Sequence, residues 1–390
     1  MDLPVKILSV DDELDLEILL TQYFRRKIRK GEYEFYFAHN GIEALKVLLE
    51  HKDIDIILSD INMPEMDGLT LLTKVNELGN PALKCIMVSA YGDMGNIRTA
   101  MNSGAFDFAT KPIDLDDLSR TIEKAIEQID YIKSSQQEHT QLENLRSDLA
   151  VAGEIQHSIL PQIFPAFPDV SDKVDIYASM TPTMDVGGDF YDFFRIDDDH
   201  IGIVMADVSG KGVPAAIFMA VSRTIIRATG IHGGSTDECM GYVNKLLCNE
   251  SHDMMFVTVF YGIYRISTGE LEYTNCGHNP PFVLKHNNKV ERLPYAKNTI
   301  VGVIDGEEFQ KDSMTLEPGD TIILYTDGVT EAENSEHGEF GESRLEETLK
   351  SVPGAGAQEI DEAIKEDLAA FVGDAKQSDD ITMLILKRLK

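Results

Sequence analysis

The chain has 390 residues, is 43% hydrophobic and 26% charged, and carries a formal net charge of −32. That length allows two or three domains with sizeable cores, and the excess of acid argues against nucleic acid or an anionic membrane as the main partner, because both would repel it. The N-terminal stretch MDLPVKILSVDD lacks the layout of a signal peptide, no apolar run approaches the roughly 18 residues of a spanning helix, and Cys85, Cys239, Cys248 and Cys276 form no Cys-x-x-Cys pair, so the sequence reads as a cytoplasmic protein with reduced thiols.

The first part alternates short apolar runs with helical periods. Strands are expected at Val5–Val10 and at 34–40, 55–58, 85–90 and 106–110, with helices between them such as 14–25 and 41–49. Alternation of this kind implies a parallel sheet covered on both faces, and continuous apolar strands fit burial on both sides. Asp11 and Asp12 follow the first strand, Asp60 the third, Ser89 ends the fourth and Lys111 follows the fifth. In a parallel sheet all of these lie at the carboxyl edge, where ligands bind. Clustered carboxylates repel one another unless a hard cation joins them, and such a cation offers open positions to phosphate.

The motifs LSVDDE, LSDINMPEMDGLTLL, MVSAYGD and ATKP resemble the receiver domain of response regulators over residues 4–125. The resemblance implies a flavodoxin-like fold in which Asp60 accepts phosphate from a sensor histidine kinase. It further implies that Asp11, Asp12 and Asp60, with the backbone carbonyl of Asn62, hold Mg²⁺. Lys111 would pair with the phosphate, Ser89 would donate to it, and Phe108 would be the aromatic that moves with the switch. Phosphorylation would bias a two-state face towards a homodimer.

After Lys111–Pro112 the pattern changes. Leu118, Ile122, Ala125, Ile129 and Ile132 recur at coiled-coil spacing, and the stripe resumes out of step at Leu142, Leu145, Leu149 and Ala152. Two helical pieces with a break or stammer at SSQQEH are expected, the second weakened by Gly153. This gives a receiver domain over 1–125, a helical coiled-coil linker over 126–160 and a third region over 161–390.

That last region is richer in long β-like runs, with helices at 213–229, 237–249, 343–350 and 358–371, an α+β layout of packed sheets flanked by helices. Four segments place aspartate beside glycine or at a strand end: VGGDFYD (Asp189), MADVSGKG (Asp207), YTDGVTE (Asp327) and SDDITM (Asp379, Asp380). Several carboxylates without His or Cys suit Mg²⁺ or Mn²⁺, and there are enough of them for a two-metal site. VMADVSGKGVP is not a phosphate-binding P-loop. That motif needs Gly five residues before Gly210, where Met205 stands, and Ser or Thr after the lysine, where Gly212 stands.

With LAVAGEIQHSILPQ, NCGHNPPFVL and DDITMLIL, these segments resemble the PPM-type metal-dependent protein phosphatases, in the sporulation-protein-E-like branch, over residues 145–388. The resemblance implies a β-sandwich flanked by helices, with two Mn²⁺ or Mg²⁺ ions held by Asp189, Asp207, the Val208 carbonyl, Asp327 and Asp379; Asp380 is a weaker candidate. The implied substrate is a phosphorylated STAS-domain anti-sigma-factor antagonist. Ser209 stands where the eukaryotic enzymes have histidine. His278 is a substitute acid or, more readily, a turn-stabilising residue, and Lys211 a substrate contact or a solvated loop lysine. The expected protein is a response regulator with a Ser/Thr phosphatase output. The alternative is a non-catalytic adaptor that binds a partner through a phosphatase-like domain.

Overall fold

In the computed structural model, residues 4–90, 93–250 and 255–390 are described; Tyr91 and Gly92 of MVSAYGD lie outside them. The chain divides into two units, Met1–Asn144 and Leu145–Lys390.

The first unit runs β1 (Val5–Val10), α1 (Leu14–Tyr23), α2 (Arg25–Arg29), β2 (Tyr33–Ala38), α3 (Gly41–Glu50), β3 (Ile56–Asp60), α4 (Gly68–Glu77), β4 (Lys84–Ala90), α5 (Met94–Asn102) and β5 (Asp107–Lys111). The strands form a parallel sheet in the order β2-β1-β3-β4-β5, the flavodoxin-like order. Each face is sealed by its own apolar layer. Leu8, Ile57, Met87 and Leu71 lie in one, and Ile7, Ile56, Leu58 and Ile86 in the other. Short polar side chains start the helices: Asn40 caps α3 by accepting from Glu43 N at 2.9 Å, and Asp67 caps α4 from Thr70 N at 2.7 Å, each worth about 1 kcal/mol.

Helix α6 (Leu115–Ile159) is one continuous helix of 45 residues, which corrects the expected break at SSQQEH. Ser, Gln, Glu and His all tolerate helix, and a shift of heptad phase alters which face is apolar without interrupting the backbone ladder. Asp114 receives Asp116 N and Asp117 N at 2.9 and 3.1 Å, fixing its start. The stripe Leu118, Ile122, Ala125 and Ile129 is buried in the receiver core beside Ile7 and Leu58, so this part of the apparent seam is the covering helix of the sheet. Leu142 and Leu145 are exposed.

The second unit continues with β6 (Val174–Thr181), β7 (Phe190–Arg195), β8 (His200–Val208), α7 (Val213–Gly230), α8 (Thr236–Glu250), β9 (Val257–Arg265), β10 (Glu270–Cys276), β11 (Phe282–Leu284), β12 (Val290–Arg292), β13 (Asp312–Thr315), β14 (Thr321–Tyr325), α9 (Asp327–Thr330), α10 (Gly341–Ser351), α11 (Ala357–Val372) and β15 (Ile381–Arg388). Two sheets, β13-β10-β9-β8-β7 and β12-β11-β14-β15-β6, carry antiparallel pairings. Their inner faces share one core, with Ile203, Met205 and Phe260 from one sheet and Ile176, Ile322, Leu324 and Leu384 from the other. Helices α7 and α8 cover the first sheet, and α10 and α11 cover the second over Ile323, Tyr325 and Ile385.

The 190–195 segment, not read as a strand from its composition, pairs with β8 along its whole length. Its Asp192, 1% exposed, is held by Arg227 at 2.6 Å and Arg223 at 2.9 Å from α7. Cys85, Cys239 and Cys276 are buried and Cys248 is partly so. Among the described residues no helix is long and apolar enough to cross a membrane.

Candidate active sites

In the receiver unit, Asp11 and Asp60 sit at the carboxyl ends of β1 and β3, adjacent strands from which the chain departs in opposite directions across the sheet. One carboxylate oxygen from each of Asp11, Asp12 and Asp60 lies within 4.8 Å of the others. Asp60 is 6% exposed and both its oxygens are engaged. Oδ1 accepts from Ile61 N at 2.6 Å and from Asn62 N at 3.4 Å, while Oδ2 meets Lys111 Nζ at 2.7 Å. Lys111 also reaches Asp11 Oδ2 at 3.0 Å and Glu13 at 3.4 Å.

Burial pushes the Asp11 carboxyl up despite the lysine. Lys111 is held above its ordinary range by Asp60 and Asp11, which outweigh the opposing effect of its burial. Ser89 is fully buried and follows Val88, the partner of Asp60 across the β3–β4 ladder. Phe108 on β5 is 37% exposed, an outward position for an aromatic ring. Asn62 is an exposed residue of the loop after β3.

In the second unit the acids converge from both sheets. Phe190 pairs with Ala206, so Asp189 lies across the hairpin from Asp207. Asp327 follows β14, and Asp379 and Asp380 precede β15, its antiparallel neighbour. Asp189 is 3% exposed, and its Oδ2 has no hydrogen-bond partner. Burial, then the charge of Asp207, drives its pKa well up. Asp207 is pushed up to about 7 by burial and then by the charge of Asp327. Asp327 is raised by burial and by Asp379. The Val208 carbonyl borders the same loop, 3.0 Å from where a side chain at Gly188 would begin.

The two consecutive aspartates, in the bend before β15, divide their work. Asp379 is 39% exposed in its side chain and pairs with Lys211 at 3.0 Å. Asp380 is 5% exposed and turns inward, accepting from Thr183 N at 2.8 Å, Gly188 N at 2.9 Å and Asp189 N at 3.4 Å. Asp380 is thus a clamp on the Asp189 loop. Lys211 also donates to Ser378 O at 2.6 Å, so it ties the VSGKG loop to the Asp379 segment.

Ser209 is locked to Phe256, accepting its N–H on Oγ at 3.0 Å. His278 is 3% exposed, with Nδ1 2.8 Å from Thr258 Oγ1 and its backbone gripped by Asn275. Burial lowers its pKa to about 4. That environment is a neutral histidine inside a turn. Sequence reasoning missed Thr326, Thr382 and Asp192, although each lies inside a quoted motif, YTDGVTE, SDDITM and VGGDFYD. It also missed Gln156, which lies in the quoted LAVAGEIQHSILPQ stretch.

The response regulator receiver domain family matches residues 7–123, and the stage II sporulation protein E family matches residues 197–389. The chain joins a receiver domain to a phosphatase domain of the SpoIIE type. It is 34% identical over 270 residues to protein IcfG of Synechocystis, matching 62% of this chain and 42% of that protein, so it spans less than half of that relative. It is 29% identical over 259 residues to phosphoserine phosphatase RsbU of Bacillus subtilis, matching 65% of this chain and 74% of RsbU. The SiaA-PP2C domain of Pseudomonas aeruginosa shares the fold of the second region at a TM-score of 0.56 and 24% identity, covering 63% of this chain and 98% of that domain.

Proposed function

We propose that this chain is a response regulator whose phosphorylation at Asp60 controls a metal-dependent hydrolysis of phosphoserine or phosphothreonine on a STAS-domain partner. The observation that carries the catalytic half is the buried Asp189, with one unpartnered oxygen, beside Asp207 and facing acids from the other sheet. A buried carboxylate pair without a counter-charge is costly, and divalent cations at this place relieve that cost. This donor set, all oxygen, fits Mn²⁺ or Mg²⁺.

Asp189, Asp207, Asp327 and Asp379, with the Val208 carbonyl, would hold the two ions. When bound, such ions lower the pKa of a water and neutralise phosphoryl oxygens. The chain's own residues do the rest. Asp380 fixes the Asp189 loop through three backbone N–H groups, and Lys211 brings positive charge to the mouth of the site beside Asp379.

In the receiver half, an Asp60 oxygen attacks the phosphorus of a kinase phosphohistidine. A P–O bond forms as the P–N bond breaks and the kinase histidine leaves as imidazole; Lys111 would offset part of the added charge, and Asp11 and Asp12 would hold a Mg²⁺ supplying the rest. Exposed Leu142 and Leu145 on α6 support pairing of two copies. Relatedness to RsbU, a phosphoserine phosphatase, supports the reaction class.

The test is Mn²⁺-dependent phosphate release from phosphorylated STAS proteins, with and without a phosphodonor for the receiver. Wild type should turn over, Asp327→Asn should not, and Asp60→Ala should lose only the response to the donor. Undiminished release by Asp327→Asn would overturn the metal assignment.

A further inference from the structure

The end of α6 grips the loop that carries Asp189. Gln156, 8% exposed, faces Gly187 with both ends of its amide. Its Nε2 donates to Gly187 O at 2.6 Å, and Gly187 N donates to its Oε1 at 3.0 Å. One side chain therefore satisfies both backbone groups of a residue two positions before Asp189.

Two glycines make this approach possible. A Cβ on Gly153 would stand 2.2 Å from Asp185 O, so the helix backbone lies directly on the loop. A Cβ on Gly187 would stand 2.3 Å from Asp380 Oδ2, so only glycine fits between helix and clamp. Beyond the helix, Tyr191 OH donates to Pro161 O at 2.9 Å, which fastens the outgoing chain to β7. The loop 183–189 is thus held on one side by a carboxylate and on the other by an amide. The carboxylate comes from the phosphatase sheet, the amide from the helix.

We infer that Gln156 is a positioning residue for Asp189: its paired hydrogen bonds set the height of the loop and so place the Asp189 carboxylate opposite Asp207. The inference rests on the reading of Asp189 as a metal ligand. A group that orients a ligand through the backbone changes metal affinity by about tenfold or more when removed, while the chemistry at saturating metal is largely kept.

The experiment uses the full-length protein and Mn²⁺ as probe. Bound Mn²⁺ is measured from the loss of the free-ion electron paramagnetic resonance signal, and the receiver's own binding, read from Asp189→Asn, is subtracted. Gln156→Leu keeps the bulk and removes both hydrogen bonds. Its half-saturating Mn²⁺ concentration should rise about tenfold, with kcat at saturating Mn²⁺ within about twofold. Gln156→Glu still accepts from Gly187 N–H and should fall between it and wild type. Gly153→Ala, which pushes helix and loop apart without touching the amide, should shift Mn²⁺ binding in the same direction.

An unchanged half-saturation in Gln156→Leu, with a lower melting temperature in EDTA as its only defect, would reduce Gln156 to a structural role and sink the inference. If Asp189→Asn itself binds Mn²⁺ like wild type, the metal reading fails first, and the two failures are told apart.

Discussion

The receiver site and the phosphatase site both gather aspartates, but they balance charge in opposite ways. In the receiver, Lys111 stands among Asp11, Asp60 and Glu13, and both oxygens of Asp60 have partners. In the phosphatase, Asp189 is pushed up by burial and the charge of Asp207, Asp207 by burial and the charge of Asp327, and the nearby lysine, Lys211, sits out at Asp379. The first cluster carries its own counter-charge within the chain. In the second, burial and neighbouring acids hold the carboxyls of Asp189 and Asp207 above the ordinary range. The difference separates a cluster balanced by a lysine of the chain from one in which burial and like charge favour the neutral carboxyls; the receiver trio Asp11, Asp12 and Asp60 also has the spacing of a cation site.

The sharpest way to break this contrast is to neutralise the phosphatase pair. Asp207→Asn should lower Mn²⁺-dependent turnover by about 10³ or more, yet raise the melting temperature of the metal-free protein, because it removes a buried like-charge interaction. A loss of activity accompanied by a lower melting temperature in EDTA would contradict the charge argument.

Next in size is the pH dependence. A carboxyl raised from 3.8 to about 7 in the folded state binds its proton more tightly than in the unfolded chain. Metal-free stability should therefore fall as pH rises from about 4 to 7, by on the order of a few kcal/mol. His278, lowered to about 4, acts in the opposite sense, since its contribution is present above about 6.5 and lost as pH falls towards 4. Urea denaturation of wild type against Asp207→Asn at pH 5.5 and 8 isolates the carboxyl part. Saturating Mn²⁺ should flatten it.

A smaller effect is expected in the receiver. Lys111→Met leaves Asp60 and Asp11 facing each other and should cost roughly 1–2 kcal/mol, discounted because the lysine is partly solvated. It should also abolish the response of phosphatase rate to a phosphodonor, read in the same assay. The smallest is Lys211→Ala at an exposed pair, where under about 1 kcal/mol of stability should be lost. A larger loss in a melting curve would mean that the Lys211–Ser378 tie organises the metal loops.

Much of this was legible in the sequence because acids at strand ends have few uses. Asp11, Asp60, Asp207 and Asp327 each follow or end an apolar run that reads as a strand, and strand ends fix position well; Asp189 is legible from its glycines, since the strand after it is not. What escaped was set by neighbours distant in sequence. Gln156 looks like any polar residue on an amphipathic helix until Gly187 is placed against it. The inward turn of Asp380 depends on which way β15 starts, which a pair of identical letters does not reveal. The stripe from Leu118 to Ile129 has the spacing of a coiled coil because a helix lying on a sheet and a helix lying on a helix bury the same face. Only the partner Ile7 and its sheet tell them apart.

The cysteines give the molecule a chemical clock. Burial raises Cys85 and Cys239 to about 12 and Cys276 well above its usual value, so none of the three presents a reactive thiolate while its core is closed. Cys248 is only partly covered. A thiol reagent should therefore mark the native protein at Cys248 first. The later labelling of Cys85 would then time the opening of the receiver, and that of Cys239 and Cys276 the opening of the phosphatase, from one sample and without any engineered probe.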